Sequence, residues 1–153
     1  MPSAQASSSG PRRRTRQRPG LQARRLALMA LFEEEFRPRR ASDSLERMAE
    51  ERGIPSDVAA HAREIVDGVL AHRSDLDARI GRLAPAIPVS ELGRVERTIL
   101  RSALFEVLYS AATPSGETID DAVSLARIYA GDAARRLVNG VLGSVKRSSG
   151  GGG

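Results

Sequence analysis

Apolar residues recur at spacings of three and four along most of the chain, which is the pattern of helices with one buried face. The clearest run is VSELGRVERTILRSALFEVLY, residues 89–109. No stretch alternates apolar and polar residues as a half-buried strand does. The sequence therefore predicts an all-α fold of six to seven helices with short connections. The predicted helices cover about residues 21–36, 43–52, 56 onward, 89–109, 118–130 and 132–146, and residues 74–83 either continue the third helix or form a separate one.

Charged residues mark the expected ends of several helices. The first helix, whose Phe32 and Phe36 are expected to face the core, ends in Glu33–Glu35, where the helix macrodipole disfavours acids. This acidic cluster is either an ordinary solvated end or a surface for a basic partner. In the penultimate helix, Asp120 and Asp121 are expected in the first turn, where acids are favoured. Asp132 is expected to cap the last helix, directly after the glycine that ends the one before.

The last predicted helix contains a local conflict. Its segment RRLVNGVLGSVKR, residues 135–147, carries an apolar stripe that Asn139 and Gly140 interrupt. Asn-Gly favours turns, and a glycine inside a helix costs about 1 kcal/mol relative to alanine. A helix that keeps these two residues needs a reason other than helix propensity.

Charge divides the chain into an arm and a body. Residues 1–32 hold seven arginines and no acid, and the remaining 17 basic residues are balanced by 19 acidic ones. We expect residues 1–20 to be a disordered arginine-rich arm, residues 21–146 to be one domain, and residues 147–153 to be a flexible Ser/Gly tail. An arm of this composition is typical of nucleic-acid binding, and the alternative is a solubilising tail.

Catalytic and metal-binding motifs are scarce in the sequence. There is no cysteine, and His61 and His72 are separated by about 16 Å along a helix, too far to share a metal ion. No phosphate-binding loop or hydrolase motif is present, and no apolar run is long enough to span a membrane. The sequence thus predicts a soluble, cytoplasmic binding protein that is not an enzyme and that has no cofactor and no metal site.

Four segments together resemble the NusB family of transcription antitermination factors. They are ARRLALMALFEEE, ELGRVERTILRSALFEVLY, IDDAVSLAR and RLVNGVL, with Pro114 between the second and the third. The resemblance covers about residues 21–146 and implies a fold of two small packed helical bundles. It also implies binding of boxA-type RNA together with NusE, a ribosomal small-subunit protein. That assembly joins the RNA polymerase elongation complex through other Nus factors and suppresses termination, chiefly on rRNA operons.

The resemblance also implies candidate site residues. Those for RNA are the arginines of the arm and first helix, and three residues of the last helix: Arg12, Arg13, Arg14, Arg16, Arg18, Arg24, Arg25, Arg135, Arg136 and Asn139. Those for NusE are Phe32, Glu91 and Glu96. Two features depart from the family's pattern. Leu137 occupies a position where an aromatic is usual, and PGLQ separates the arm's arginine run from the first helix.

Two questions stay open at the level of sequence. Asn139 either reads a base edge of single-stranded RNA or satisfies buried backbone groups, and Gly140 either admits RNA or marks a helix crossing. The alternative function is a helical protein-interaction module, or a homodimer, whose basic arm binds nucleic acid without sequence preference. The same fold also forms the N-terminal RNA-binding part of rRNA cytosine methyltransferases. Because no cofactor-binding domain follows RLVNGVL here, we expect no methyl transfer.

Overall fold

The computed structural model describes residues 17–36, 40–110 and 115–152 of the protein. Over these ranges the chain forms six α-helices and one short 3-10 turn, Val89–Glu91, without a β-strand. The prediction of an all-α fold of six to seven helices is therefore confirmed. The helices are α1 (Pro19–Glu34), α2 (Ala41–Glu51), α3 (Ser56–Leu83), α4 (Arg94–Tyr109), α5 (Ser115–Ala130) and α6 (Asp132–Gly152).

The helices form two bundles that share one aliphatic core. In the first bundle, α1 packs against α2 and α3; in the second, α4, α5 and α6 pack against one another. Helices α1 and α3 also contact α4, which joins the two bundles. The largest fully buried side chains include Leu45, Ile65, Leu100, Leu104 and Leu142. Burying each of them contributes about 1.5–3 kcal/mol relative to leaving it exposed, so the apolar stripes read from the sequence hold the bundles together.

Helix α3 bends near its middle. Its 28 residues include His72, whose backbone angles of φ −116° and ψ 17° are not helical. Residues 74–83 therefore continue α3 beyond a bend. This outcome is intermediate between a continuous helix and a separate one, the two alternatives that the sequence left open. The His72 ring stacks on Tyr109 with 4.2 Å between ring centroids. The histidine thus belongs to an aromatic contact between α3 and α4.

Helix α5 begins earlier than its sequence pattern predicts. Because α5 starts at Ser115, Asp120 and Asp121 lie in its second turn, and the expectation that both stabilise the first turn is wrong. Asp121 is 2% exposed and bonds to arginines of the first bundle instead. Asp120 is exposed. The two neighbouring acids therefore have different environments.

The start of α6 also differs from prediction. The Arg135 N–H bonds to the carbonyl of Gly131 at 3.1 Å, so Gly131 caps the helix and Asp132 is its first residue. The prediction that Asp132 caps the helix is therefore wrong. Its carboxylate instead accepts hydrogen bonds from the side chains of Arg135 and Arg136. At the other end α6 extends to Gly152. The flexible Ser/Gly tail expected over residues 147–153 stays a prediction.

The acidic end of α1 joins three other helices. Neither sequence interpretation of Glu33–Glu35, a solvated end or a surface for a basic partner, describes it. The half-buried carboxylates are paired with arginines that approach from different helices, which explains acids at an end where the macrodipole disfavours them. The pairs are Glu33 with Arg47 of α2 at 2.7 Å, Glu34 with Arg73 of α3 at 3.2 Å, and Glu35 with Arg97 of α4 at 2.9 Å.

Candidate nucleic-acid interface and apolar groove

Arg24, predicted to contact RNA, lies in the interior between the two bundles. It is only 6% exposed, and its guanidinium donates to acceptors on α4 and α5. The acceptors are Glu106 at 2.8 Å, Asp121 at 2.7 Å, Glu117 at 2.9 Å and Thr118 at 3.3 Å. The predicted RNA contact of Arg24 does not fit this structure, because the guanidinium is buried and its donors are already engaged by acids.

Glu106 is the most buried member of this ion cluster. Its second carboxylate oxygen lies 2.9 Å from Nε2 of His61, a half-buried residue of α3. Burial opposes ionisation, but the hydrogen bonds of His61 and Arg24 outweigh burial and hold the pKa of Glu106 below its ordinary value. The cluster therefore fixes α1, α3 and α4 through a charged carboxylate. His61 thus joins α3 to the carboxylate of Glu106 on α4.

One face of α6 carries the polar residues singled out in RRLVNGVLGSVKR. Arg136 and Asn139 are exposed, and Arg135 has a side chain that is 34% exposed. Their spacing of three and four residues aligns them along the helix surface. Gly140 is exposed as well, and a Cβ atom placed on it would meet nothing within 4 Å.

The exposure of Asn139 and Gly140 resolves the question of why a turn-forming pair lies within a helix. Val138, Val141 and Leu142 are buried on the opposite face of α6 and supply the packing that holds the helix. Asn139 therefore does not satisfy buried backbone groups, and Gly140 does not mark a helix crossing; both of those interpretations are wrong. Leu137 is half-buried and packs against the core. The amide of Asn139 is available to a ligand.

Asp132 holds the two arginines of this face. Its carboxylate accepts a hydrogen bond from Nε of Arg135 at 2.7 Å and another from Arg136. The hydrogen bond from Arg135 lowers the pKa of Asp132, and the positive charges of Arg135 and Arg136 add to the effect. The arginines are thus positioned side by side above the first turn, in a surface contact that a phosphate can displace because exposed ion pairs are weak.

The remaining basic candidates divide between described and undescribed residues. Arg18 lies at the start of α1 and bonds to Asp121 and Glu117 of α5. Arg25 is half-buried and lines a small cavity on the other side of α1. Four predicted contacts fall on residues outside the described part of the chain: Arg12, Arg13, Arg14 and Arg16.

An apolar groove lies between α1, α2, α4 and α5. It has a volume of about 490 Å³, and Phe32, Phe36, Val95 and Tyr129 are among its lining residues. Phe36 is 55% exposed, so its predicted place in the core is wrong. The reason is that α1 ends at Glu34, two residues before it. Sequence reasoning missed Phe36 and Tyr129, although their exposure leaves an apolar surface of the kind that proteins use for partners.

Aromatic and cationic contacts order the rim of this groove. The rings of Phe32 and Phe36 are 4.9 Å apart, and the guanidinium of Arg94 lies 4.6 Å from the centre of the Phe36 ring. Arg94 is the first residue of α4, the helix that also carries Val95. The groove is therefore formed by side chains that are already packed on one another.

The two predicted acidic contacts lie just before and within the first turn of α4. Glu91 is exposed at the end of the 3-10 turn. Glu96 is half-buried and folds back over the cap residue Gly93, where a Cβ atom would lie 2.4 Å from its Oε1. Glu96 thus also stabilises the start of α4. Neither lines the groove, so only Phe32 of the three partner candidates does.

The described residues do not meet the requirements of a metal site or of a membrane-spanning helix. Among the described residues, no group of three or more histidine or acidic side chains is arranged to hold a metal ion. In the same part of the chain, no helix is long and apolar enough to cross a membrane.

The fold and these two surfaces define a small all-helical binding protein. The model of the NusB family matches residues 21–147, most of the chain. The chain belongs to the NusB family of transcription antitermination proteins. Membership confirms the resemblance seen in the sequence, the fold of two helical bundles and the prediction of a protein that is not an enzyme.

Several NusB proteins are similar over most of this chain. The transcription antitermination protein NusB of Roseiflexus sp. is 40% identical over 124 residues, which are 80% of this chain and 87% of that protein. The NusB of Dehalococcoides mccartyi is 32% identical over 82% of this chain and 88% of its own length. The NusB of Heliobacterium modesticaldum is 37% identical over 82% of this chain, and the match spans 61% of that longer protein.

Solved structures share the fold. A chain in the crystal structure of the antitermination factors NusB and NusE in complex with dsRNA superposes with a TM-score of 0.77 and 27% identity. That match covers 87% of this chain and 99% of the other. The T. maritima NusB structure gives a TM-score of 0.78 at 28% identity, over 86% of this chain and 93% of that one.

Proposed function

We propose that this protein binds boxA-type single-stranded RNA together with NusE and supports processive transcription of rRNA operons. The observation that carries the proposal is the exposed face of α6, where Arg135, Arg136 and Asn139 lie in line. Two arginines suit phosphates, and an amide that both donates and accepts suits a base edge. The binding of dsRNA and NusE by a NusB of the same fold supports the choice of ligands.

The two classes of contact are expected to play different roles. Phosphate contacts position the RNA and carry no sequence information, whereas a base-edge contact discriminates between sequences. Arg18, Arg25 and the four arm arginines Arg12, Arg13, Arg14 and Arg16 extend the positive charge beyond α6. We assign them to phosphates. We do not assign Arg24, because its guanidinium is held inside the protein.

The apolar groove is the proposed site for NusE. Phe32, Phe36 and Tyr129 offer aromatic area that is half-buried or exposed, a usual feature of protein interfaces. Glu91 and Glu96 supply negative charge near the start of α4 for a basic ribosomal protein. Through RNA and NusE together, the protein is proposed to join the elongation complex with other Nus factors in the cytoplasm.

The test is a titration of three RNAs with and without NusE. Fluorescence anisotropy compares a labelled boxA RNA, a scrambled single strand and the corresponding duplex at fixed salt. The proposal predicts the tightest binding for boxA RNA and a further gain when NusE is present. Equal affinity for boxA and scrambled RNA, with no gain from NusE, favours the alternative of an interaction module whose arm binds nucleic acid without preference. Analytical ultracentrifugation of the free protein tests for a homodimer.

A further inference from the structure

A second basic site lies on the first bundle, away from α6. A cavity of about 190 Å³ opens between α1 and the end of α2, and we call it the α1–α2 pocket. Two arginines, Arg25 and Arg52, and two glutamines, Gln17 and Gln22, line its polar side. The lining contains no acidic residue. The pocket therefore offers charge and amide groups without a counter-ion of its own.

The sequence builds the α1 side of this pocket by helical spacing. Gln22, Arg25 and Met29 recur at three and four residues, which places them on one surface of α1. Gln17 lies two residues before α1 begins at Pro19, at the end of the arginine-rich segment. The pocket thus lies beside the N-terminal end of α1.

A helix-ending turn builds the α2 side. Gly53 has φ +61°, a left-handed conformation that favours glycine. The N–H of Ile54 bonds to the carbonyl of Ala49 at 2.9 Å, and the N–H of Gly53 bonds to that of Glu50 at 3.2 Å. These two bonds form the Schellman motif that commonly ends helices. The turn brings Arg52 and Ile54 to face α1.

The guanidinium of Arg52 is held in place but keeps its charge for a ligand. One of its nitrogens donates to the sulfur of Met29 at 3.4 Å, a weak contact that orients the group. Within the described residues, neither Arg52 nor Arg25 forms a salt bridge, whereas Arg18, Arg24 and nine other arginines there do. Two cations without acidic partners in one cavity are characteristic of an anion site.

We propose that the α1–α2 pocket holds one nucleotide of the bound RNA, with its phosphate on Arg25 and Arg52 and its base edge facing Gln22. This inference rests on the proposed RNA-binding function and extends it to residues of α2. The pocket is smaller than the roughly 300–1,000 Å³ of sites for drug-sized molecules, so it suits a fragment such as a single nucleotide unit. Met29 and Ile54 provide the apolar floor against which an unstacked base packs.

The methionines give a direct test in the full-length protein. Met29 lines the α1–α2 pocket and Met48 does not; both line the apolar groove. With ¹³C-methyl-labelled methionine, addition of boxA RNA is expected to shift the Met29 methyl resonance and to leave Met48 unchanged. Addition of NusE is expected to shift Met48. An unchanged Met29 resonance in protein saturated with RNA would overturn the proposal.

Substitution of Arg52 gives a second, quantitative test. R52A is expected to weaken boxA RNA binding about tenfold, the change that loss of one charged hydrogen-bonded contact brings. It should also reduce the slope of log affinity against log salt concentration by about 0.7, the value for one phosphate on a single strand. R52K is expected to recover the slope. The control is R82A, because Arg82 is an exposed arginine at the end of α3, outside the pocket.

The outcomes separate this inference from the proposed function. If the wild-type protein binds boxA RNA and folded R52A binds it equally well, the pocket proposal fails and the α6 face stands. If the wild-type protein binds no RNA, both fail. If R52A instead lowers NusE affinity and leaves RNA affinity unchanged, the pocket receives an acidic protein segment, which also overturns the proposal.

Discussion

Arg24 and Glu106 are 82 residues apart in sequence, and Nε of the arginine lies 2.8 Å from the carboxylate inside the protein. The pair joins α1 to α4 and therefore one bundle to the other. Removal of one member of a buried ion pair leaves an uncompensated charge and costs about 3–5 kcal/mol. We expect Arg24→Ala to lower the free energy of unfolding by that amount, as measured by urea denaturation.

The control for this substitution is the exposed Arg82→Ala, which is expected to change stability by less than about 0.5 kcal/mol. At a temperature where Arg24→Ala is folded, its RNA affinity should equal that of the wild type. A folded Arg24→Ala variant of normal stability that has lost RNA binding would mean that the arginine leaves the interior to contact RNA.

Glu106 makes the stability depend on pH in a defined direction. Its pKa is lower in the folded protein than its ordinary value of 4.5, so the unfolded state binds the proton more tightly. This contribution is fully present above about pH 4.5 and is lost as the pH falls through the folded-state pKa. Urea denaturation between pH 7 and pH 3 should show stability falling below about pH 4.5, and less steeply in Glu106→Gln. Equal slopes for the two proteins would assign the acid sensitivity to other carboxylates.

Asn139→Ala and Arg135→Ala are expected to affect RNA binding differently. Loss of a base-edge contact should weaken boxA RNA binding by about 1–3 kcal/mol and hardly change a scrambled RNA. Loss of a phosphate contact should weaken both RNAs alike. Since Asn139 is exposed, its alanine variant should keep the wild-type melting temperature. Equal losses on both RNAs for Asn139→Ala would show that this amide does not read sequence.

Phe36→Ala is expected to weaken NusE binding by about 2 kcal/mol, as loss of an aromatic anchor does, because Phe36 is an exposed ring at the rim of the groove. Isothermal titration calorimetry measures the change. Ile128→Ala is the matched control, since Ile128 is 58% exposed and lies outside the groove lining. Identical NusE affinities for Phe36→Ala and Ile128→Ala would place the partner on another surface.

Helical periodicity was enough to predict the number of helices, their approximate bounds and most of the buried aliphatic residues. The site was harder to predict, because its determinants are pairings across long sequence separations. Arg24 stands beside Arg25 in a basic segment, and only the fold shows that one faces three acids inside while the other lines a cavity. The same holds for Asp121, whose neighbour Asp120 is exposed. Local spacing alone does not distinguish such neighbours.

The hydrophobic pattern of α6 already indicated that Asn139 is exposed, but the Asn-Gly pair suggested buried roles for it as well. Val138, Val141, Leu142 and Val145 define a buried stripe, and residue 139 lies off it. Phe36 follows Phe32 by four residues, so helical periodicity placed it wrongly in the core, and the three acids directly before it were only a weak signal of the helix end. Side chains beyond the last helical turn are set by the chain's exit direction, which periodicity does not describe.

The acidic end of α1 has an evolutionary consequence. Glu33, Glu34 and Glu35 each anchor a different helix, so a substitution at one of them leaves two attachments in place. Arg24 shows the opposite arrangement, because its single guanidinium pairs with several carboxylates. We therefore infer that these glutamates can change one at a time in evolution while the end of the helix that carries Phe32 keeps its position.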